Sequence, residues 1–205
     1  MKDSPNIALV DYGSGNLRSV EKALEACGAR VVRATGADAL SEADAIVVPG
    51  VGAFGDCANN LRSAGLWEPV GEWLRSGKPY LGICLGYQLL FESSEESPGV
   101  SGWGVLPGRV VRFRDGDLKV PHMGWNMLRD LKGPLFPEPN EVPWVYFVHS
   151  YYPAPEDTAI VSSFCDYGVR FAASVSTGRI HATQFHPEKS QACGLEVLRG
   201  FLSTL

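Results

Sequence analysis

The sequence predicts an α/β fold with an open, largely parallel central sheet, flanking helices and an antiparallel extension. Strand and helix signals alternate through the first half of the chain, which is the pattern of βα units in a parallel sheet. After Phe91, short β-like segments follow one another without helices between them. The 205 residues, 45% of them hydrophobic, can bury a substantial core, so we expect a single domain over residues 1–205.

Apolar runs and residues at helical spacing define the elements of the first half. The predicted elements are strand 7–11, helix 16–27 with Gly28 as its C-cap, strands 30–34 and 45–48, a helical region 56–75 interrupted near Gly65 and Pro69, strand 80–83, and helix 85–91. Parallel strands in such a sheet end at the same edge, and open α/β sheets bind their ligands there. We therefore look for a site in the segments that follow the strands.

The second half is rich in turn residues and short apolar segments. The charged segment 92–99 predicts a solvated loop. The predicted strands are 104–106, 110–114, 118–121, 145–149, 159–167, 169–175 and 180–185, with a proline-rich loop at 133–143. Ser190 is expected to cap a last helix that turns its apolar side chains to the core, namely Leu195, Leu198, Phe201 and Leu202.

Charge and composition exclude several classes of function. The net charge of −5, with no block of Lys and Arg, argues against a nucleic-acid or anionic-membrane surface. No apolar stretch approaches the roughly 18 residues of a membrane span, and the N-terminus lacks a signal-peptide pattern. The five cysteines form no C-x-x-C pair, which favours a reducing compartment over a disulfide framework or a zinc site. We expect a cytoplasmic protein without a metal or cofactor.

Cys84 lies between two glycines directly after a buried strand. The spacing of Gly82, Cys84 and Gly86 is the thiol version of a nucleophile elbow, in which a sharp strand-to-helix turn exposes the reactive side chain. A strained position at the N-terminus of helix 85–91 favours a thiolate. The alternative is that Cys84 is a buried apolar cysteine without a chemical role.

A histidine and a glutamate two residues apart supply the groups that a nucleophilic thiol requires. In an extended segment His186 and Glu188 face the same side. An imidazole within hydrogen-bond reach activates the thiol, and a third group orients the imidazole. Alone, this pair is also explained by an ordinary loop histidine beside a solvated glutamate. Together with Cys84, it favours hydrolysis or acyl transfer.

Two glycine-containing segments follow the first and third predicted strands. Segment 49–56 can bring backbone N–H groups of Gly50, Val51 and Gly52 close to a ligand, where they could form an oxyanion hole with the N–H of Leu85. A loop required only by turn geometry explains the segment equally well. Segment 11–16 lacks the residues of a dinucleotide or P-loop motif and predicts a tight turn.

The remaining histidines lack the spacing of metal ligands. We interpret His122, His149 and His181 as structural residues or polar contacts. No metal site is therefore predicted.

The chain resembles the class I glutamine amidotransferases. The resemblance rests on Gly82-Ile83-Cys84-Leu85-Gly86-Tyr87-Gln88 and on His186-Pro187-Glu188, about a hundred residues apart, and covers nearly the whole chain. Three further segments resemble the member that serves a histidine-biosynthesis synthase: Asp11-Tyr12-Gly13-Ser14-Gly15-Asn16, Pro49-Gly50-Val51-Gly52-Ala53-Phe54 and Pro121-His122-Met123-Gly124-Trp125-Asn126. The resemblance implies a flavodoxin-like fold and glutamine hydrolysis to glutamate and ammonia.

The resemblance also assigns roles to individual residues. Cys84 would be the nucleophile, His186 the acid and base, and Glu188 the group that orients it. Gln88, Ser150 and Tyr151 would help to hold glutamine, and Gly50, Val51 and Gly52 would form the oxyanion strand. A (β/α)8 cyclase would be the partner in a heterodimer, contacted by Asn16, Trp125, Asn126, Tyr146 and Lys189.

Two other functions stay open on the sequence. A glutaminase of the same family could serve another synthase, such as pyridoxal phosphate synthase, although Pro-Gly-Val-Gly at 49–52 fits the histidine-biosynthesis member better. A scaffold of the same fold could bind a partner without catalysis, although the intact Cys84, His186 and Glu188 argue against it.

Overall fold

The structure is a computed structural model that describes residues 4–114, 116, 118–136 and 143–205. Its strands are β1 (Asn6–Val10), β2 (Arg30–Ala34), β3 (Ala45–Gly50), β4 (Tyr80–Cys84), β5 (Ser93–Ser94), β6 (Gly108–Arg112), β7 (His122–Arg129), β8 (Trp144–His149), β9 (Tyr151–Pro155), β10 (Val161–Tyr167), β11 (Val169–Thr177) and β12 (Ile180–Thr183). Its α-helices are α1 (Leu17–Ala26), α2 (Asp38–Ser41), α3 (Phe54–Ser63), α4 (Trp67–Arg75), α5 (Leu85–Gln88) and α6 (Gln191–Leu202).

A nine-stranded sheet runs through the molecule in the order β2-β1-β3-β4-β12-β11-β10-β7-β8. The strands from β2 to β12 are parallel, and those from β11 to β8 pair antiparallel. A small second sheet contains β5, β6 and β9. This mixed sheet with flanking helices confirms the predicted fold class.

Hydrophobic side chains of the parallel strands alternate between two cores. On one side Ala8 and Val10 of β1 share a buried cluster with residues of α3 and α4. On the other side Ile7 and Leu9 share a cluster with residues of α1 and α6. Because successive side chains of a strand point to opposite faces, both faces of the sheet are covered. β4 is buried along its whole length, which places its C-terminal end inside the molecule.

The predicted interruption of region 56–75 near Gly65 is confirmed, whereas the interruption near Pro69 and the length of the helix at 85–91 were predicted wrongly. Region 56–75 forms two helices, α3 and α4, separated at Gly65, whose positive φ of 69° ends the first one. Pro69 does not interrupt α4 because it lies in the first turn, where its missing N–H breaks no helical bond. The helix predicted at 85–91 is the single turn α5, after which the chain bends away.

The second half departs further from the prediction. Segments 104–106 and 118–121 are not strands, whereas β7 and β9 form strands that the apolar pattern did not predict. The predicted loop at 133–143 lies partly outside the described residues, which omit 137–142. Ser190 precedes α6 as predicted, but its hydroxyl donates to the His186 carbonyl at 2.6 Å and makes no capping bond to the helix.

Candidate active site

Cys84 occupies a strained turn at the C-terminal end of β4. Its φ of 56° lies in the left-handed region, and only 5% of the residue is exposed. Glycines permit this turn, since a Cβ on Gly86 would overlap the Val48 carbonyl oxygen and one on Gly82 would lie 2.6 Å from the Gly86 carbonyl oxygen. The two glycines thus allow Cys84, at the C-terminal end of β4, to adopt a backbone conformation that is rare for cysteine.

His186 and Glu188 form a buried pair in the segment after β12. The Nδ1 atom of His186 lies 2.8 Å from Oε1 of Glu188, and both side chains are 2% exposed. Burial lowers the pKa of His186, but the negative charges of Cys84 and Glu188 outweigh it and raise the pKa to about 10. The imidazole is therefore protonated at neutral pH beside the thiol.

The positive charge at Cys84 comes from His186 and not from a helix. The sequence predicted a thiolate at the N-terminus of a helix spanning 85–91, but α5 has only four residues. The dipole of one turn is small compared with a full imidazolium charge. The structure brings together the three residues predicted for catalysis, and their catalytic roles remain predictions.

A small cavity of about 120 Å³ opens beside Cys84. Its lining residues are Val51, Gly52, Cys84, Leu85, Gln88, Glu96, Val148, His149, Ser150 and Tyr151. The lining includes all of the predicted substrate-binding residues except Gly50, which pairs with Cys84 at the end of β3. A Cβ on Gly50 would lie 2.7 Å from both Leu85 Cβ and Tyr12 Oη, so the site requires glycine there.

The predicted oxyanion segment is held on both sides of its central peptide. The Tyr12 hydroxyl donates to the Pro49 carbonyl at 2.7 Å, and the Ser14 hydroxyl donates to the Val51 carbonyl at 3.2 Å. Val51 itself is 39% exposed, and Gly52 has a φ of 103°. The peptide between Gly50 and Val51 is thus flanked by two anchored carbonyls.

Two residues near Cys84 were missed by the sequence analysis. Gln184 is fully buried, and its Nε2 atom lies 3.5 Å from Cys84 Sγ. It precedes His186 by two residues, so the alternation that linked His186 to Glu188 could have found it. Glu96 was assigned to a solvated loop, but the residue lines the cavity, and its carboxylate accepts the Phe54 N–H at 2.7 Å. Burial raises the pKa of Glu96.

Three of the predicted interface residues lie together on the surface. The Trp125 and Tyr146 rings pack edge to face across β7 and β8 with centroids 6.2 Å apart, and the Lys189 ammonium lies 5.7 Å from the Tyr146 ring centroid. Asn16 is exposed at the start of α1. Asn126 is half-buried, and its side chain bonds within the protein, to His122 and to the Asp166 carbonyl.

Residues 8–203 match the family model Glutamine amidotransferase class-I. That match spans nearly the whole chain and both halves of the site.

The chain belongs to the class I glutamine amidotransferases.

Curated relatives cover this amidotransferase almost from end to end. Imidazole glycerol phosphate synthase subunit HisH of Geobacter sulfurreducens is 48% identical over 202 residues, which are 95% of this chain and 97% of the relative. The subunit of the same name from Methanothermobacter thermautotrophicus is 48% identical over 199 residues, 97% of this chain and 98% of the relative. This amidotransferase is an enzyme of that family.

Solved structures share the fold of this amidotransferase. A crystal structure of a glutamine amidotransferase superposes with a TM-score of 0.76 at 20% identity, covering 97% of this chain and 99% of that one. The structure of PurLQS from Thermotoga maritima superposes with a TM-score of 0.78 at 21% identity, covering 98% and 99%. In the described part of the chain, no helix has the length and apolar character needed to cross a membrane.

Proposed function

We propose that this amidotransferase is the glutaminase subunit of imidazole glycerol phosphate synthase, which hydrolyses glutamine and delivers the ammonia to a (β/α)8 cyclase subunit in histidine biosynthesis. One observation carries the chemistry: Cys84 lies on the wall of a small cavity beside a buried His186–Glu188 pair. The identity of 48% over nearly the full length of the curated HisH subunits supports the particular synthase.

The first half of the reaction is acyl transfer to the thiol. The Cys84 thiolate attacks the side-chain carbonyl carbon of glutamine. The oxyanion that forms accepts hydrogen bonds from the backbone N–H groups of Leu85 and Val51. Protonated His186 then donates its Nε2 proton to the departing nitrogen. Among the described residues this Nε2 atom is buried without a hydrogen-bond partner, which leaves its proton available for transfer. The C–N bond breaks, ammonia leaves, and a γ-glutamyl thioester remains on Cys84.

The second half is hydrolysis of the thioester. Neutral His186 accepts a proton from water, whose oxygen attacks the thioester carbonyl carbon. The carbon–sulfur bond breaks, glutamate leaves, and the thiolate is restored beside protonated His186. Glu188 holds the Nδ1 side of the ring at 2.8 Å throughout, so that Nε2 keeps facing the reacting atoms.

The partner is a cyclase that receives the ammonia. We place its contact on the surface that carries Trp125, Tyr146 and Lys189, with Asn16 and Asn126 at its edges. Trp125 is 44% exposed, and neighbouring Met123 and Trp144 are 62% and 52% exposed, so this face offers apolar area that association would bury. The backbone N–H of His186 donates to the backbone carbonyl of Tyr146 at 2.9 Å, which connects this face directly to the proposed acid and base.

We infer a cytoplasmic location for the enzyme. All five cysteines are free, as expected for a protein of a reducing compartment. The proposed glutamine substrate and biosynthetic role are consistent with that compartment.

The direct test is ammonia release from glutamine by the purified chain, alone and with the cyclase subunit. We expect slow release by the chain alone and at least tenfold faster release in the complex. The Cys84→Ala chain in the same complex is the matched control and should release none. Release that is independent of Cys84, or a complex that never forms, would refute the proposal.

A further inference from the structure

A pair of buried histidines beside the cavity has no part in the proposed mechanism. His122 of β7 and His149 of β8 lie opposite each other in the ladder, and they are 3% and 6% exposed. Nδ1 of His122 lies 3.0 Å from Nε2 of His149. Two buried imidazoles in hydrogen-bond contact need a defined arrangement of protons, because one ring must donate and the other accept.

The surrounding acceptors and donors fix that arrangement. Nδ1 of His149 lies 2.9 Å from the Tyr151 carbonyl oxygen, which can only accept, so His149 carries its proton on Nδ1. Burial lowers the pKa of His149 to about 3 and that of His122 to about 4, so both rings are neutral at working pH. Nε2 of His149 therefore accepts the Nδ1 proton of His122. Nε2 of His122 in turn accepts from the Asn126 amide, 3.2 Å away.

Aromatic packing holds the two rings in place. His122 is stacked between Tyr167 and Phe147, with ring centroids 3.9 and 4.7 Å away. Phe113 packs its ring 5.1 Å from the centroid of His149. Rotation of either imidazole would require these neighbours to move, so the direction of the hydrogen bonds is built into the core.

The chain of hydrogen bonds ends on a residue predicted to bind glutamine. The Tyr151 carbonyl accepts a second bond, from Nε2 of Gln88 at 3.1 Å. Because that carbonyl can only accept, the Gln88 amide must turn its nitrogen to it. Oε1 of Gln88 is left buried without a hydrogen-bond partner among the described residues, and Gln88 lines the cavity. A buried acceptor of this kind needs an N–H group, which glutamine can supply.

We propose that His149, whose Nδ1–H tautomer is favoured both by the Tyr151 carbonyl and by the His122 donor, is a positioning residue for glutamine binding. Its Nδ1–H holds the Tyr151 carbonyl in the orientation that fixes the Gln88 amide together with Oε1 of Gln184, which accepts from the same Gln88 nitrogen at 3.1 Å. Oε1 of Gln88 then accepts an N–H of the substrate. His149 also lines the cavity, but both of its ring nitrogens are bonded inside the protein, so it acts through Tyr151 and Gln88. This inference rests on the proposed function.

Two substitutions at His149 separate its two hydrogen bonds. In His149→Asn, the side-chain amide nitrogen occupies the Nδ1 position and can still donate to the Tyr151 carbonyl. In His149→Gln, the amide reaches the Nε2 position toward His122, and the Tyr151 carbonyl loses the His149 donor while it keeps the Gln88 donor. We would measure glutamine binding by calorimetry in the Cys84→Ala background with the cyclase subunit present, since no turnover then contributes to the signal.

The expected result is a difference between the two variants. Kd for glutamine should rise about tenfold in His149→Gln and less than threefold in His149→Asn, the effect of one net hydrogen bond. With Cys84 restored, KM should follow Kd while kcat changes little. Equal affinities in the two variants would overturn the inference.

A third variant covers the case in which His149→Gln does not fold. His122→Phe keeps the ring stacking but removes the donor to Nε2 of His149, so only the Tyr151 carbonyl still favours the Nδ1–H tautomer and the ring is less firmly held. Kd should then rise roughly threefold to tenfold. An unchanged Kd in this variant would overturn the inference. If the Cys84→Ala parent bound no glutamine, the proposed glutaminase function would be refuted. If the parent bound glutamine and the His149 or His122 variants bound it equally well, only the role proposed for His149 would be refuted.

Discussion

At the scale of single residues, the raised pKa of His186 is the main electrostatic feature of the site. Burial alone would leave its ring neutral, as it does for His122 and His149. The difference comes from two anionic neighbours, Cys84 on one side of the ring and Glu188 on the other. These two neighbours thus stabilise the imidazolium form of His186 in a place from which water is largely excluded.

Removing one anion should lower the pKa of His186. Cys84 is the largest contribution that raises it, so we expect Cys84→Ala to move the titration of His186 down by about one to three pH units. The ring would then lose its proton at a lower pH than in the wild type. Histidine labelled with ¹⁵N and observed by NMR reports this midpoint directly.

Cys57→Ala is the matched control for that titration. Cys57 is also buried, but it bonds to Tyr12, and the groups that raise the pKa of His186 are Cys84 and Glu188. His186 should titrate as in the wild type in this variant. An identical midpoint in Cys84→Ala and the wild type would show that thiol and imidazole are not paired.

At the scale of elements, the turn from β4 into α5 depends on close backbone contacts. Gly86→Ala would place a Cβ against the Val48 carbonyl oxygen of the neighbouring strand, where only a backbone shift can make room. We expect a loss on the order of 3 kcal/mol in the free energy of unfolding. Urea unfolding followed by circular dichroism measures it.

Gly36→Ala provides the comparison for Gly86→Ala. No heavy atom lies within 4 Å of a Cβ at Gly36, and its backbone is not in the left-handed region. Its free energy of unfolding should change by less than about 1 kcal/mol. Similar losses in the two variants would mean that the contact with β3 does not define the turn.

The segment after β3 offers a second test at this scale. Val51→Pro removes the N–H proposed to bind the oxyanion, whereas Val51→Ala keeps it. Val51 is 39% exposed, so neither change disturbs the core. We expect kcat for glutamine hydrolysis in the complex to fall about a hundredfold or more in the proline variant and to change little in the alanine variant.

Cyclase binding distinguishes a missing oxyanion donor from a broken structure. Both variants should pair with the cyclase, which size-exclusion chromatography can check. Full stimulation of Val51→Pro by the cyclase would show that activation does not depend on the Val51 N–H. The interface residues Tyr146 and Lys189 would then be the next candidates.

At the scale of the whole molecule, the sequence predicted the parallel half of the sheet and the meeting of Cys84, His186 and Glu188. Local signals were enough there: apolar runs bounded by glycines, and residues two apart in an extended segment. The antiparallel half was harder because its pairing depends on distant residues. β7 carries an irregular mixture of exposed and half-buried positions, so no alternation marks it as a strand.

The cavity wall was predicted only in part for the same reason. Glu96 lines the cavity and Gln184 contacts Cys84 from a segment about ninety residues away, and only the folded sheet brings them to one place. The directed hydrogen bonds from His122 to Tyr151 likewise join three elements of the antiparallel half. Such contacts cannot be predicted from the spacing of residues along the chain, because they depend on how distant segments pack in the folded protein.

The division of labour between the two subunits can be tested in one measurement: cyclase product formation by the complex that contains Cys84→Ala, supplied either with glutamine or with ammonium chloride. We expect no product from glutamine and wild-type product formation from ammonium chloride, because Cys84 makes ammonia but has no part in its use. Product from glutamine in this variant, or a failure of ammonium chloride to restore the reaction, would contradict it.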